Sequence, residues 1–184
     1  MGSPNRENKG DQQDVSTQGP VLLGLGANLP SPTHGSPVAT LESALKCLAQ
    51  RGLRILARSR WWESAPIPVS DQPWYVNGVV EVATERRPED LLALLHEVEA
   101  EFGRVRTYSN APRVLDLDLL AYGDIVQQGP QWPLLPHPRL AERGFVLLPL
   151  REIKPDWHHP LSGRSLAEMI ASLPSNQVVR PLPQ

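Results

Sequence analysis

A chain of 184 residues, 40% hydrophobic and 21% charged, can bury one ordinary globular core. A net charge of −2 supplies no broad cationic face for nucleic acid or a membrane surface. A single cysteine, Cys47, excludes an internal disulfide and a cysteine–zinc cluster, and no apolar run approaches the ~18 residues that span a bilayer. The expected compartment is the cytoplasm, and the expected state a monomer.

Met1–Gly19 has almost no apolar residues and no hydrophobic signal-peptide core. Residues 1–19 are expected to form a disordered leader, 20–174 one domain and 175–184 a loose proline-rich tail. Val21–Gly26 reads as a buried first strand, ended by Ala27-Asn28-Leu29-Pro30. Ser36-Pro37 is an N-cap followed by proline at the first helical position; Leu41, Ala44, Leu45 and Leu48 follow at helical spacing, and Gly52 ends the helix. Cys47 falls on its apolar side, as a small buried side chain. Leu53–Trp62 alternates as a second strand, Ser64–Pro73 is a proline-constrained loop, and Tyr75–Thr84 is a third strand. Pro88 opens a second helix, with Leu91, Leu92, Leu94, Leu95, Val98 and Phe102 on one side and Gly103 at its end. After an arginine-bearing loop and a further strand, Gly123-Asp124 turns and Ile125-Val126 starts a short returning strand. Phe145–Leu150 is apolar, helical or extended, and Ser165–Leu173 is a last helix. The order β-α-β-β-α-β predicts an α+β fold with a ferredoxin-like core. Its antiparallel sheet carries helices on one face, leaves the other free for ligands, and is followed by extra C-terminal elements.

The chemistry concentrates in Arg113–Leu120, where Leu115, Leu117 and Leu119 alternate with Asp116 and Asp118. A strand turns the leucines to the core and both aspartates to the opposite face, with Cα atoms about 7 Å apart. Carboxylates that close repel unless a cation lies between them, and hard oxygen ligands suit Mg²⁺ together with substrate phosphates. A solvated acidic face is the plain alternative. Against it, aspartate opposes strand propensity, and Arg104, Arg106, Arg113, Arg139 and Arg143 crowd the same region.

Other segments are less specific. Gly24-Leu25-Gly26 lacks the spacing and the lysine of a phosphate-binding loop, so its glycines read as packing or turn residues. In Ser64–Asn77 the prolines fix backbone polar groups, Tyr75 offers a ring for stacking, and Asn77 carries both donor and acceptor for the edge of a heterocycle. An ordinary rigid surface loop fits that stretch as well. His137 lies in Pro136-His137-Pro138-Arg139 and shares a basic segment with two arginines, Arg139 and Arg143, which suits an anion; adjacent His158 and His159 do not make a metal pair.

Together, Gly24–Asn28, Ser64–Asn77, Phe102–Asp118 and Pro136–Phe145 resemble the 6-hydroxymethyl-7,8-dihydropterin pyrophosphokinase family, over about Val21 to Leu173. The most specific parts are Gly103-Arg104-Val105-Arg106, Pro112–Asp118, and Pro136–Arg139 with Arg143-Gly144-Phe145. The resemblance implies transfer of pyrophosphate from ATP to the pterin hydroxymethyl group, giving AMP, in folate biosynthesis. It implies two Mg²⁺ ions held by Asp116 and Asp118, with Arg104 and Arg113 steadying the transferring group. It assigns Glu99, Arg106, Arg113, Leu119, His137 and Arg143 to ATP. It assigns Tyr75 and Phe145 to a sandwich of the pterin ring, and Asn77 with Ser64, Ala65, Pro66 and Ile67 to its edge. The partners implied are these small molecules, with no nucleic acid and no membrane. Some members carry Trp-Gly-Pro-Arg where this chain has Asn110-Ala111-Pro112-Arg113. Two rivals remain: a nucleotidyltransferase, which would release pyrophosphate instead of AMP, and a ligand-binding module without turnover.

Overall fold

A computed structural model of the chain describes residues 19–104 and 112–183. The elements, in order, are β1 (Val21–Ala27), α1 (Pro37–Gln50), β2 (Arg54–Arg58), β3 (Trp62–Ser64), β4 (Tyr75–Ala83), α2 (Pro88–Glu101), β5 (Asp116–Tyr122), α3 (Gly144–Ile153), α4 (Leu166–Ala171) and β6 (Val179–Pro181). The sheet runs β5-β1-β4-β3-β6, with β2 also on β4, and every pairing is antiparallel. That order is compatible with a ferredoxin-like α+β core in which β2 and β3 share the place of one strand.

One face follows the sequence pattern. Leu41, Ala44, Leu45 and Leu48 of α1 and Leu91, Leu95 and Val98 of α2 pack on Leu23 and Leu25 of β1, Val80 and Val82 of β4, and Leu115, Leu117 and Leu119. Ser36 caps α1 by accepting from Ala39 N at 3.3 Å, and Glu89 and Asp90 in the first turn of α2 suit its positive end. Gly103 ends α2 with φ +81°, a conformation that side chains disfavour. Cys47 is half-buried against this core rather than fully enclosed.

The opposite face is not wholly free, as the pattern suggested. Leu22, Val79, Leu120 and Ala121 form a second core with Leu140, Val146, Leu147 and Leu150, closed by Trp157, Leu166 and Met169. The extra elements α3 and α4 therefore cover one end of that face. At the other end β1 presents Gly24 and Gly26, which leave the sheet open beside β4 and β5.

Three more expectations change in detail. The strand expected over Leu53–Trp62 breaks at Ser59, whose Oγ accepts from Val79 N at 3.0 Å, and Trp61 folds over Gly78. A Cβ at Gly78 would lie 2.5 Å from Trp61 Cζ3. Gly78→Ala is expected to cost about 1–3 kcal/mol by overpacking, read as a lower urea midpoint. The returning strand at Ile125-Val126 reduces to a single bridge, Gln127 with Leu135. The tail is not loose throughout, because Val179–Pro181 adds to the sheet edge at β3. No described helix is long and apolar enough to cross a membrane.

Candidate active site

The alternation in β5 does what its period requires. Leu115, Leu117 and Leu119 are buried, while Asp116 pairs with Gly26 and Asp118 with Gly24 across the open end of the sheet. Two glycines opposite two aspartates leave a floor of backbone and carboxylates, with no side chain of β1 between them. Neither glycine marks a turn; both pack closely, since a Cβ at Gly24 would lie 3.4 Å from Leu120 Cδ1 and one at Gly26 3.4 Å from Asn77 Oδ1.

Arginines converge on the pair from three segments. Arg104 Nη1 lies 2.7 Å from Asp116 Oδ1, and Arg113 Nη1 lies 2.7 Å from Asp116 Oδ2. Arg143 Nη1 is 3.2 Å from Asp118 Oδ2. Desolvation first and the neighbouring Asp116 second push the Asp118 carboxyl above the usual carboxylate range, against the pull of His137, Arg143 and Arg104. Burial lowers the basicity of both His137 and Arg143. His137 N donates to Leu120 O at 2.8 Å, and its Nδ1 accepts from Arg139 N at 3.1 Å. Its neutral ring is therefore assigned its proton at Nε2.

Two residues assigned to ATP lie elsewhere. Glu99 is 2% exposed; its Oε1 accepts from Leu117 N at 2.7 Å and pairs with Arg104 from beneath. It supports the arginine instead of facing the cavity. Leu119 packs in the α1–α2 core, which leaves no side chain for a nucleotide. Arg106, with Val105, Asn110 and Ala111, lies outside the described residues, as do residues 1–18 of the leader.

Beside the carboxylates opens a cavity of about 830 Å³. Tyr75 and Phe145 line it, as do Asn77, Ser64, Ala65, Pro66 and Ile67, together with Gly26, Asp116, Arg113 and Arg143. Asn77 is buried and donates through Nδ2 to Ser64 Oγ at 2.9 Å, while Tyr75 hydroxyl bonds Gln72 Oε1 at 3.2 Å. A recess of about 20 Å³ lies between Gly24, Gly26, Asp116, Asp118 and Phe145. It has room for about one water or ion.

Asn28 was missed by sequence reasoning as a site residue. It is 2% exposed, donates through Nδ2 to Pro73 O at 3.1 Å and accepts at Oδ1 from Arg113 N at 2.8 Å. One buried amide thus ties the cavity loop to the arginine segment. The available signal was a polar residue closing an apolar strand in Gly26-Ala27-Asn28-Leu29-Pro30.

A family model described as 7,8-dihydro-6-hydroxymethylpterin-pyrophosphokinase (HPPK) matches residues 22–155. The chain belongs to the HPPK family. That makes it one of the diphosphokinases, transferases of folate biosynthesis. It is 38% identical over 161 residues to the 2-amino-4-hydroxy-6-hydroxymethyldihydropteridine pyrophosphokinase of Methylorubrum extorquens, covering 87% of this chain and 97% of that one. It is 35% identical over 163 residues to the folic acid synthesis protein fol1 of Pneumocystis carinii, 89% of this chain but only 21% of that protein. The chain therefore spans about a fifth of that relative. Among solved structures, Plasmodium falciparum HPPK-DHPS, a triple mutant with pteroate, superposes with a TM-score of 0.59 at 14% identity, over 83% of this chain and 41% of that one. At that identity the likeness speaks for the fold alone.

Proposed function

We propose that this HPPK family member transfers the β,γ-diphosphate of ATP to the hydroxyl of 6-hydroxymethyl-7,8-dihydropterin and releases AMP. The observation that carries this reading is the junction of two environments. A cavity lined by Tyr75, Phe145, Asn77 and Pro66 also takes in Asp116, Arg113 and Arg143, and these join it to the ion pairs of Arg104 with Asp116 and of Arg143 with Asp118. A fused heterocycle fits the first, and a polyphosphate under transfer fits the second.

Tyr75 and Phe145 hold the pterin ring between them, while Asn77 and the backbone of Ser64–Ile67 read its edge. Arg104, Arg113 and Arg143 stabilise the charge that spreads over the phosphoryl oxygens, and His137 and Arg106 contact the nucleotide. The pterin oxygen bonds to Pβ, the bond between Pβ and the oxygen bridging it to Pα breaks, that oxygen leaves with AMP, and the hydroxyl proton is released. The donor set at Asp116 and Asp118, hard oxygens beside a recess the size of one ion, fits Mg²⁺; the second ion that the family resemblance implies would lie among the substrate phosphates. Mg²⁺ supplies charge neutralisation on the phosphates and lowers the pKa of an oxygen bound to it.

The test is incubation with ATP, Mg²⁺ and the pterin, with nucleotides resolved by chromatography. The expected products are AMP and a diphosphorylated pterin, both abolished by chelation of Mg²⁺. Release of pyrophosphate with a nucleotidyl-pterin would establish the nucleotidyltransferase instead. Tyr75→Ala is expected to weaken calorimetric pterin affinity about tenfold, through loss of ring stacking and area, while ATP affinity stays within about twofold.

A further inference from the structure

We propose that Gln177, which lines the outer part of the same cavity, is a positioning residue that sets the width of the ring site through the backbone it holds, a role that rests on the pterin reading above. Arg143 heads α3 without a side-chain cap of its own. Gln177 supplies one from a distant segment: Gly144 N donates to its Oε1 at 2.8 Å, and its Nε2 donates to Glu142 O at 2.7 Å. One amide thus grips the backbone on both sides of Arg143, next to Phe145.

The adjoining residues hold the facing wall. Ala65 N donates to Val178 O at 3.1 Å, and Val179 pairs with Ser64 at the sheet edge. Two bonds from neighbouring residues therefore join the Phe145 wall to the Ser64–Ile67 wall. Approach is close at Gly144, where a Cβ would lie 3.1 Å from Gln177 Oε1 and 3.4 Å from Val179 Cγ2. The strap is anchored further along, where Arg180 pairs with Glu63, sits 4.9 Å over the Trp74 ring, and Leu182 N donates to Trp61 O at 2.9 Å. A shift of Gln177 transmits to both walls because it lies between two fixed attachments.

The test compares the full-length chain with Gln177→Leu, which removes both bonds at similar volume, and Gln177→Glu, which keeps the acceptor for Gly144 N. For Gln177→Leu, pterin affinity should fall about tenfold, as expected of a misplacement near an ångström or less. ATP-analogue affinity should stay within about twofold and Tm within about 4 °C, the scale of 1 kcal/mol in such a domain. Gln177→Glu should restore most of the pterin affinity. In the ligand-free protein, Gly144 and Ala65 amides should exchange faster in Gln177→Leu than in the wild type. Wild-type pterin affinity in Gln177→Leu, or an equal loss of pterin and ATP affinity with a lower Tm, would overturn the proposal. If the wild type itself binds no pterin, the substrate reading fails. The exchange measurement still decides the strap, and unchanged rates at Gly144 and Ala65 overturn it.

Discussion

Asp116→Ala is expected to lower the rate of AMP formation by about a thousandfold or more at saturating ATP, pterin and Mg²⁺, the scale on which one electrostatic contact to a transition state acts. The expectation rests on what meets at this carboxylate. Asp116 holds Arg104 on one oxygen and Arg113 on the other, each at 2.7 Å, so its loss frees Arg113, leaves Arg104 to Glu99 alone and removes a proposed metal ligand. The fold should survive. Asp116 is partly exposed on the open end of the sheet, and ion pairs of that kind contribute about 1 kcal/mol or less to stability. Asp118→Ala should behave alike. Turnover near that of the wild type in either variant would remove the carboxylates from the chemistry.

The second large effect is on stability. Glu99→Ala is expected to lower the unfolding free energy by about 2–3 kcal/mol, because Arg104 loses its buried partner and keeps only Asp116. Here it also leaves Leu117 N, near the start of β5, without its side-chain acceptor. Urea unfolding at an unchanged slope measures it. Glu99→Gln keeps an acceptor and should lose less. A direct contact to ATP would give the opposite pattern, with stability retained and ATP KM raised. A loss below about 1 kcal/mol would contradict the supporting role described above.

These two residues also mark what a sequence makes legible. Asp116 and Asp118 stand out because a period of two, with leucines between, leaves only one face for them. The capped helices and the strand at Tyr75 were equally plain, since Ser36-Pro37 and the leucine spacing act locally. Glu99 did not stand out. On α2 it falls one position after Val98, and nothing local says whether such an acid faces water, ligand or a buried arginine. The cover on the second face was hidden for a related reason. Phe145–Leu150 contains Pro149, and a short apolar run reads as helix or strand until its packing partners are known. The break at Ser59 depends on Trp61 meeting Gly78, a contact between strands. The strap was hardest to see, for β6 has only three residues, and Gln177 acts through backbone groups some 33 positions earlier.

The most direct measurement of the central claim is the fate of the phosphates of ATP. With ATP labelled at the γ-phosphorus or, in parallel, at the α-phosphorus, the account predicts γ-label in the pterin product as a diphosphate and α-label only in AMP. Label leaving the γ position as inorganic phosphate or pyrophosphate, or α-label appearing on the pterin, would contradict it.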